Sequence, residues 1–178
     1  MLARTVALLV LPAVLAHGAT AGEKKAEPRK EAARYPALEP FTKLAGDWVG
    51  KVTKGPHAGM EVQASYKVTA GGSAVMETIF PGTDHEMLTV IHPDGDGLVL
   101  THYCMLGNQP QMKAAGKAEG HRVAFKFVRA TNLKSEKDMH MHDVAYTFVD
   151  ADTLRAEWTH YQDGKASGQV VVEVKRKK

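Results

Sequence analysis

The property that most restricts the fold of this chain is alternation. From Phe41 onward it is a succession of short runs in which apolar and polar residues take turns, and each run ends at glycine, proline, asparagine or aspartate. Period-two alternation broken by turn residues is the pattern of half-buried strands. It predicts ten of them, at about 47–54, 59–69, 73–80, 86–92, 97–105, 110–117, 121–130, 139–149, 153–162 and 168–176. The breaks carry turn chemistry, among them Gly71-Gly72, Pro81-Gly82, Gly107-Asn108 and Asp163-Gly164. Ten strands with short connections make an antiparallel meander, and closing it on itself removes the exposed edges. The expected fold is therefore all-β, a roughly ten-stranded antiparallel barrel, with a two-sheet sandwich as the alternative. A short helical turn near residues 38–44 stands where it can plug one end.

The two ends of the chain read differently. Arg4, an apolar run from Thr5 to Ala16 and the small residues Ala19-Thr20-Ala21 have the layout of a secretory signal peptide cleaved after Ala21. The run is shorter than the ~20 apolar residues a membrane span needs, so no membrane insertion is expected after cleavage, and the protein is expected to be secreted or periplasmic. The only cysteine is Cys104, which excludes a lipid anchor at the cleavage site and an intramolecular disulfide. Gly22 to Arg34 is rich in Lys, Glu and Ala and reads as a solvated linker. The segmentation is 1–21 signal peptide, 22–40 charged linker and 41–178 barrel. The net charge of +3 comes from the linker and from Lys175-Arg176-Lys177-Lys178, and the body between them is net negative. With no basic face interleaved with aromatics, nucleic acid is not an expected partner.

Strand parity sorts the side chains into faces. Trp48, Gly50 and Val52 go together, as do Met60, Val62, Ala64, Tyr66 and Val68. Leu98, Leu100, His102 and Cys104 share a face, followed by His140, His142, Val144, Tyr146 and Phe148, then Leu154, Ala156, Trp158 and His160, and finally Val170, Val172, Val174 and Arg176. If the apolar parity points inward, His102, Cys104, His140, His142 and His160 go in with it.

Gly46-Asp47-Trp48-Val49-Gly50, following a helical turn, resembles the first strand of the calycin superfamily, the lipocalin-like group. In that group the tryptophan packs against a cation from the last strand, a role for which Arg176 has the right parity. The strand count resembles more closely the nitrobindin-like haem-binding barrels and related uncharacterised bacterial barrels, whose motif G-x-W-x-G-x-G is matched except that Val52 replaces the final glycine. The resemblance implies a lumen that holds a small, largely apolar molecule, with haem as one candidate and His160 as its iron ligand.

Among residues that can carry chemistry, His140-x-His142 is the sharpest signal, because two residues apart on a strand point the same way and can share a metal ion. A third ligand would come from His102, Cys104 or His160, and the expected metal set is His102, His140 and His142. Cys104 reads as a small buried hydrophobe or, beside His102, as a soft ligand or nucleophile. Met76, Met87, Met105, Met112, Met139 and Met141 read mainly as core filler, and the segments 108–110 and 131–138 as loops guarding the mouth.

The leading expectation is an exported protein binding a small hydrophobic ligand in the lumen, lined by Tyr66, His102, Cys104, His140, His142, Tyr146, Trp158 and His160. The alternatives are a metal-binding protein or metal-dependent enzyme built on the inward His and Cys residues, and a ligand-free interaction module. The cofactor is left open between haem and a transition metal.

Overall fold

A computed structural model of the chain describes residues 35–114 and 120–178. The signal peptide and most of the charged linker read from the sequence lie outside the described residues. No described helix is long and apolar enough to cross a membrane. After a four-residue helical turn, α1 (Glu39–Thr42), come ten strands: β1 (Gly46–Lys54), β2 (Glu61–Thr69), β3 (Ala74–Ile79), β4 (Met87–Asp94), β5 (Gly97–Tyr103), β6 (Gln109–Ala114), β7 (Arg122–Thr131), β8 (His140–Phe148), β9 (Thr153–Gln162) and β10 (Lys165–Arg176). A 3-10 turn, Ala70–Gly72, joins β2 to β3. Every strand is antiparallel to its neighbour in sequence, and β10 pairs with β1, so the sheet is a closed barrel without free edges.

The observed strands agree with the expected ones within a few residues. Residues 115–117, expected in the sixth strand, lie outside the described residues, and β10 begins earlier than expected, at Lys165, directly after the tight hairpin turn of Asp163 and Gly164, whose φ are 55° and 73°. The sandwich alternative is thereby set aside. Residues 35–40, assigned to the linker from the sequence, belong with the barrel: Leu38 and Phe41 are fully buried, and Tyr35 and Ala37 pack on the core. Phe41 sets its ring edge-on against Phe125, Tyr146 and Phe148 at 5.9, 5.3 and 5.3 Å, closing that end of the barrel.

Closure of the barrel rests on β1 and β10. Trp48 is buried and its Nε1 donates to the Leu44 carbonyl at 2.7 Å, tying the plug to the first strand. The Arg176 guanidinium lies 4.5 Å from the Trp48 ring and donates to the carbonyls of Ala45 and Lys43 at 2.9 and 2.8 Å. Gly50 is required where the two strands meet, since a Cβ there would lie 1.9 Å from the Glu173 carbonyl oxygen. The G-x-W-x-G spacing therefore has a local physical cause in this chain.

Most of the parity assignments hold, with Val62, Ala64, Tyr66, Leu98, Leu100, Leu154, Ala156, Trp158, Val172 and Val174 all buried. Strand β8 departs from them. Met141 pairs with His160 and Asp143 with Thr159, so β8 carries one residue more than β9 between these pairs. A bulge of this kind reverses the parity of everything before it. Met141, not His140 or His142, takes the lumen parity and packs against the core, while His140 is paired with Tyr161.

Candidate functional site

Two groups of polar and aromatic side chains stand out, one inside the barrel and one at the end where the β5–β6, β7–β8 and β9–β10 connections gather. The inner group centres on Glu77. It shares the parity of Val75 on β3 and is buried with it. The Tyr66 hydroxyl donates to Glu77 Oε1, and the Tyr146 hydroxyl donates to Oε2 at 3.0 Å. The Thr89 hydroxyl contacts the same carboxyl group and lies 3.0 Å from His102 Nδ1. The His102 ring packs on Trp158, 4.8 Å between centroids.

Burial raises the Glu77 carboxyl above the ordinary carboxylate range, partly offset by hydrogen bonds from Tyr66, Thr89 and Tyr146. It also raises both phenols well above their usual range, with the Glu77 charge adding to the effect. Burial lowers His102 to about 4, so its ring is neutral at pH 7. The barrel thus encloses a hydrogen-bonded polar network joining β2, β3, β4, β5 and β8. Beside it remains a cavity of only about 10 Å³, roughly the space of a single water.

The outer group is a stack of rings. His142 lies face to face with Tyr161 at 3.6 Å and with Phe127 at 4.4 Å, and His140 stands 4.9 Å from Phe127 and 5.7 Å from His142. His142 Nδ1 is 3.0 Å from Asp143 Oδ1, whose other oxygen pairs with Lys126 at 2.8 Å. Partial burial lowers the His142 pKa, opposed by the Asp143 carboxylate. Asp143 Oδ1 also accepts from the Phe127 backbone N–H at 3.1 Å, so it stands in for a strand partner next to the bulge.

Of the residues singled out from the sequence, Tyr66, His102, Tyr146 and Trp158 come together within the barrel. His140 and His142 do not join them. The expected convergence of His102, His140 and His142 is not found: the first packs on Trp158 and the other two sit among Phe127 and Tyr161. Among the described residues, no group of three or more His, Cys, Asp or Glu side chains is placed to hold a metal ion. Cys104 is half-buried at the start of the β5–β6 connection, and burial raises its thiol pKa, which keeps it protonated.

His160 keeps its inward parity, but its ring is confined. Nδ1 lies 2.9 Å from Ser167 Oγ, and a Cβ on Gly168 would come within 2.8 Å of both Cε1 and Nε2. The ring is thus held between the Ser167 hydroxyl and the Gly168 backbone. Gly168→Ala is expected to push the ring aside and destabilise the barrel by about 1–3 kcal/mol. Adding His160→Ala in the same chain should restore most of the loss. Urea unfolding of the two variants checks this, and an unchanged midpoint for Gly168→Ala would show that the ring lies elsewhere.

Glu77, Thr89, Phe127 and Tyr161 escaped the sequence reading. Parity with Val75 and Ile79 was the available signal for Glu77. No comparable signal marks Phe127 and Tyr161, which meet the histidines only through the β8 bulge.

No protein-family model and no curated protein matches the sequence. Among solved structures, the crystal structure of Rv2717c from M. tuberculosis matches with a TM-score of 0.58 at 14% identity, covering 80% of this chain and 98% of that one. A protein with unknown function of the DUF3598 family from Nostoc punctiforme matches at 11% identity and a TM-score of 0.22, over 79% and 99% of the two chains. What the first likeness shows is the fold: a ten-stranded antiparallel barrel, closed between its first and last strands.

Proposed function

We propose that the chain is an exported binding protein of calycin-like architecture that takes up a small, largely apolar molecule at the loop end of the barrel. The observation that carries this reading is where apolar surface remains exposed. Tyr103, Met105, Leu106 and Met139 are 49, 58, 48 and 40% exposed. All four lie in or beside the β5–β6 and β7–β8 connections, which leave the barrel at the same end. Large apolar side chains gathered at one rim are a common mark of a binding surface, and methionines adapt to varied apolar partners.

The cavity beside Glu77 offers only about 10 Å³, which favours a ligand seated at the rim. Two larger hollows lie on the outside. One, about 240 Å³, is a groove beside the plug lined by Pro40, Leu44, His121 and Phe148. The other, about 230 Å³, runs over the charged wall formed by Arg122, Lys126, Asp143 and Glu157. Neither holds the cluster of exposed apolar side chains found at the loop end.

An environment-sensitive apolar dye, 1-anilinonaphthalene-8-sulfonate, is expected to bind saturably at one site per chain. Amide shifts should be confined to residues 103–108, 127–128, 139–142 and 161. Shifts centred on the groove beside α1, or no saturable binding, would remove the loop-end reading. Export is tested separately by intact mass, which should give a chain beginning at Gly22 outside the cytoplasm; a chain retaining Met1 in the membrane fraction would contradict it.

A further inference from the structure

Two buried hydrogen-bond acceptors at the loop end have no partner. Among the described residues, the only fully buried side-chain nitrogen or oxygen atoms without a hydrogen bond are Asn108 Oδ1 and His140 Nε2. Asn108 is 4% exposed and His140 3%. Leaving such a group unpaired costs roughly 1–3 kcal/mol, so native structures seldom keep one without a reason.

Their chemistry follows from what their other atoms do. Asn108 Nδ2 donates to the Met139 carbonyl at 2.9 Å. A carbonyl can only accept, so the amide orientation is set and the orphan atom is the oxygen. His140 Nδ1 lies 2.8 Å from the Asp138 carbonyl. By the same reasoning Nδ1 carries the hydrogen, and in the neutral ring Nε2 presents a lone pair. Both orphans are therefore acceptors.

They also belong to one junction. The Asn108 side chain grips Met139, the residue that precedes His140, and so ties the β5–β6 connection to the start of β8. The same connection is pinned from the other side by Asn132, whose Nδ2 donates to the Gly107 carbonyl, and internally by the Cys104 N–H donating to the Asn108 carbonyl at 3.2 Å. A junction held this firmly does not leave two acceptors bare by looseness.

We infer that Asn108 Oδ1 and His140 Nε2 form the polar end of the loop-end site, and that they recognise a hydrogen-bond donor, a hydroxyl or N–H group, on a ligand whose apolar body lies against the exposed side chains of Met105, Leu106 and Met139. This rests on the loop-end reading above and adds to it the chemistry of the ligand head. Two acceptors reward a donor and reject an apolar group of the same shape, because the rejected ligand leaves both acceptors desolvated and unpaired. The flanking methionines are unbranched and half-exposed, so they can move aside to admit the head group.

The test compares phenol with toluene, which differ by a hydroxyl against a methyl on the same ring. Binding to the whole chain is followed by amide shifts and by the ¹⁵N resonance of His140 Nε2. Phenol is expected to bind at least tenfold more tightly than toluene and to move the Nε2 resonance upfield as it accepts a hydrogen bond, while toluene leaves that resonance in place. His140→Phe keeps a ring but lacks the acceptor, and should bring the two affinities to within about twofold. If that variant does not fold, the Nε2 resonance of the unaltered protein still decides. Equal binding of the two probes, or an Nε2 resonance that phenol does not move, would show that the acceptors hold only trapped water and would overturn the donor site while leaving the apolar loop-end site standing. Failure of both probes to bind at the loop end would remove both.

Discussion

Trp48→Ala is expected to lower the unfolding free energy by about 3–5 kcal/mol, the usual loss for truncating a buried aromatic. For a domain whose whole stability is about 5–15 kcal/mol, that leaves little folded protein on moderate warming. Three contacts are lost together. The ring fills the lumen beside Tyr66, with 6.1 Å between centroids. Its N–H holds the plug through Leu44, and its face carries Arg176. Arg176 in turn bonds the carbonyls of Lys43 and Ala45 and the Asp152 carboxylate. The truncation therefore loosens the plug, the first strand and the last strand at once. Arg176→Lys keeps the charge but not the planar fork that serves several acceptors, and should destabilise by a smaller amount. Urea unfolding of the three proteins gives the order. A Trp48→Ala midpoint equal to that of the unaltered chain would mean that closure does not depend on this residue.

Closure was legible in the sequence because its parts are local and close to their motif. Gly46, Trp48 and Gly50 lie within one strand, and Arg176 follows from counting back along an alternating strand. The same counting placed Tyr66, His102, Tyr146 and Trp158 inside, where they are found. It failed at His140 and His142, and the reason is physical. Parity runs along a strand only while the strand pairs residue for residue with its neighbour, and the extra residue of β8 between Met141 and Asp143 breaks that condition. A bulge depends on the register of two strands and on Asp143 reaching across to the Phe127 N–H. Nothing in the run His140-Met141-His142-Asp143 states it.

Glu77 was within reach of parity, although a carboxylate is seldom an inward residue. It is the centre of the second large expected effect. Glu77→Ala removes the acceptor of both Tyr66 and Tyr146, leaving the buried Tyr66 hydroxyl unpaired at roughly 1–3 kcal/mol and Tyr146 with only its Thr89 contact. Glu77→Gln keeps polar atoms in the same place and should cost less, and its advantage should grow with pH. The sign follows from linkage. Burial raises the native Glu77 pKa above its value in the unfolded chain, so between those two values the unfolded chain releases the proton while the native state retains it. Stability from this group is complete below the ordinary carboxylate pKa and declines as pH rises towards the raised one.

His102 acts in the opposite direction. Its native value of about 4 lies below the ordinary 6.5, so its contribution is complete above 6.5 and falls away as the solution is acidified towards 4. In the unaltered protein the two slopes oppose each other over the range they share, and a single pH profile of stability would hide both. The difference between Glu77→Gln and the unaltered chain isolates the first: measured by urea unfolding from pH 4.5 upward, it should move steadily in favour of the glutamine variant. A difference that is flat with pH would mean that Glu77 ionises in the barrel as readily as in the unfolded chain, and that the two tyrosines and Thr89 stabilise a carboxylate there rather than a carboxylic acid.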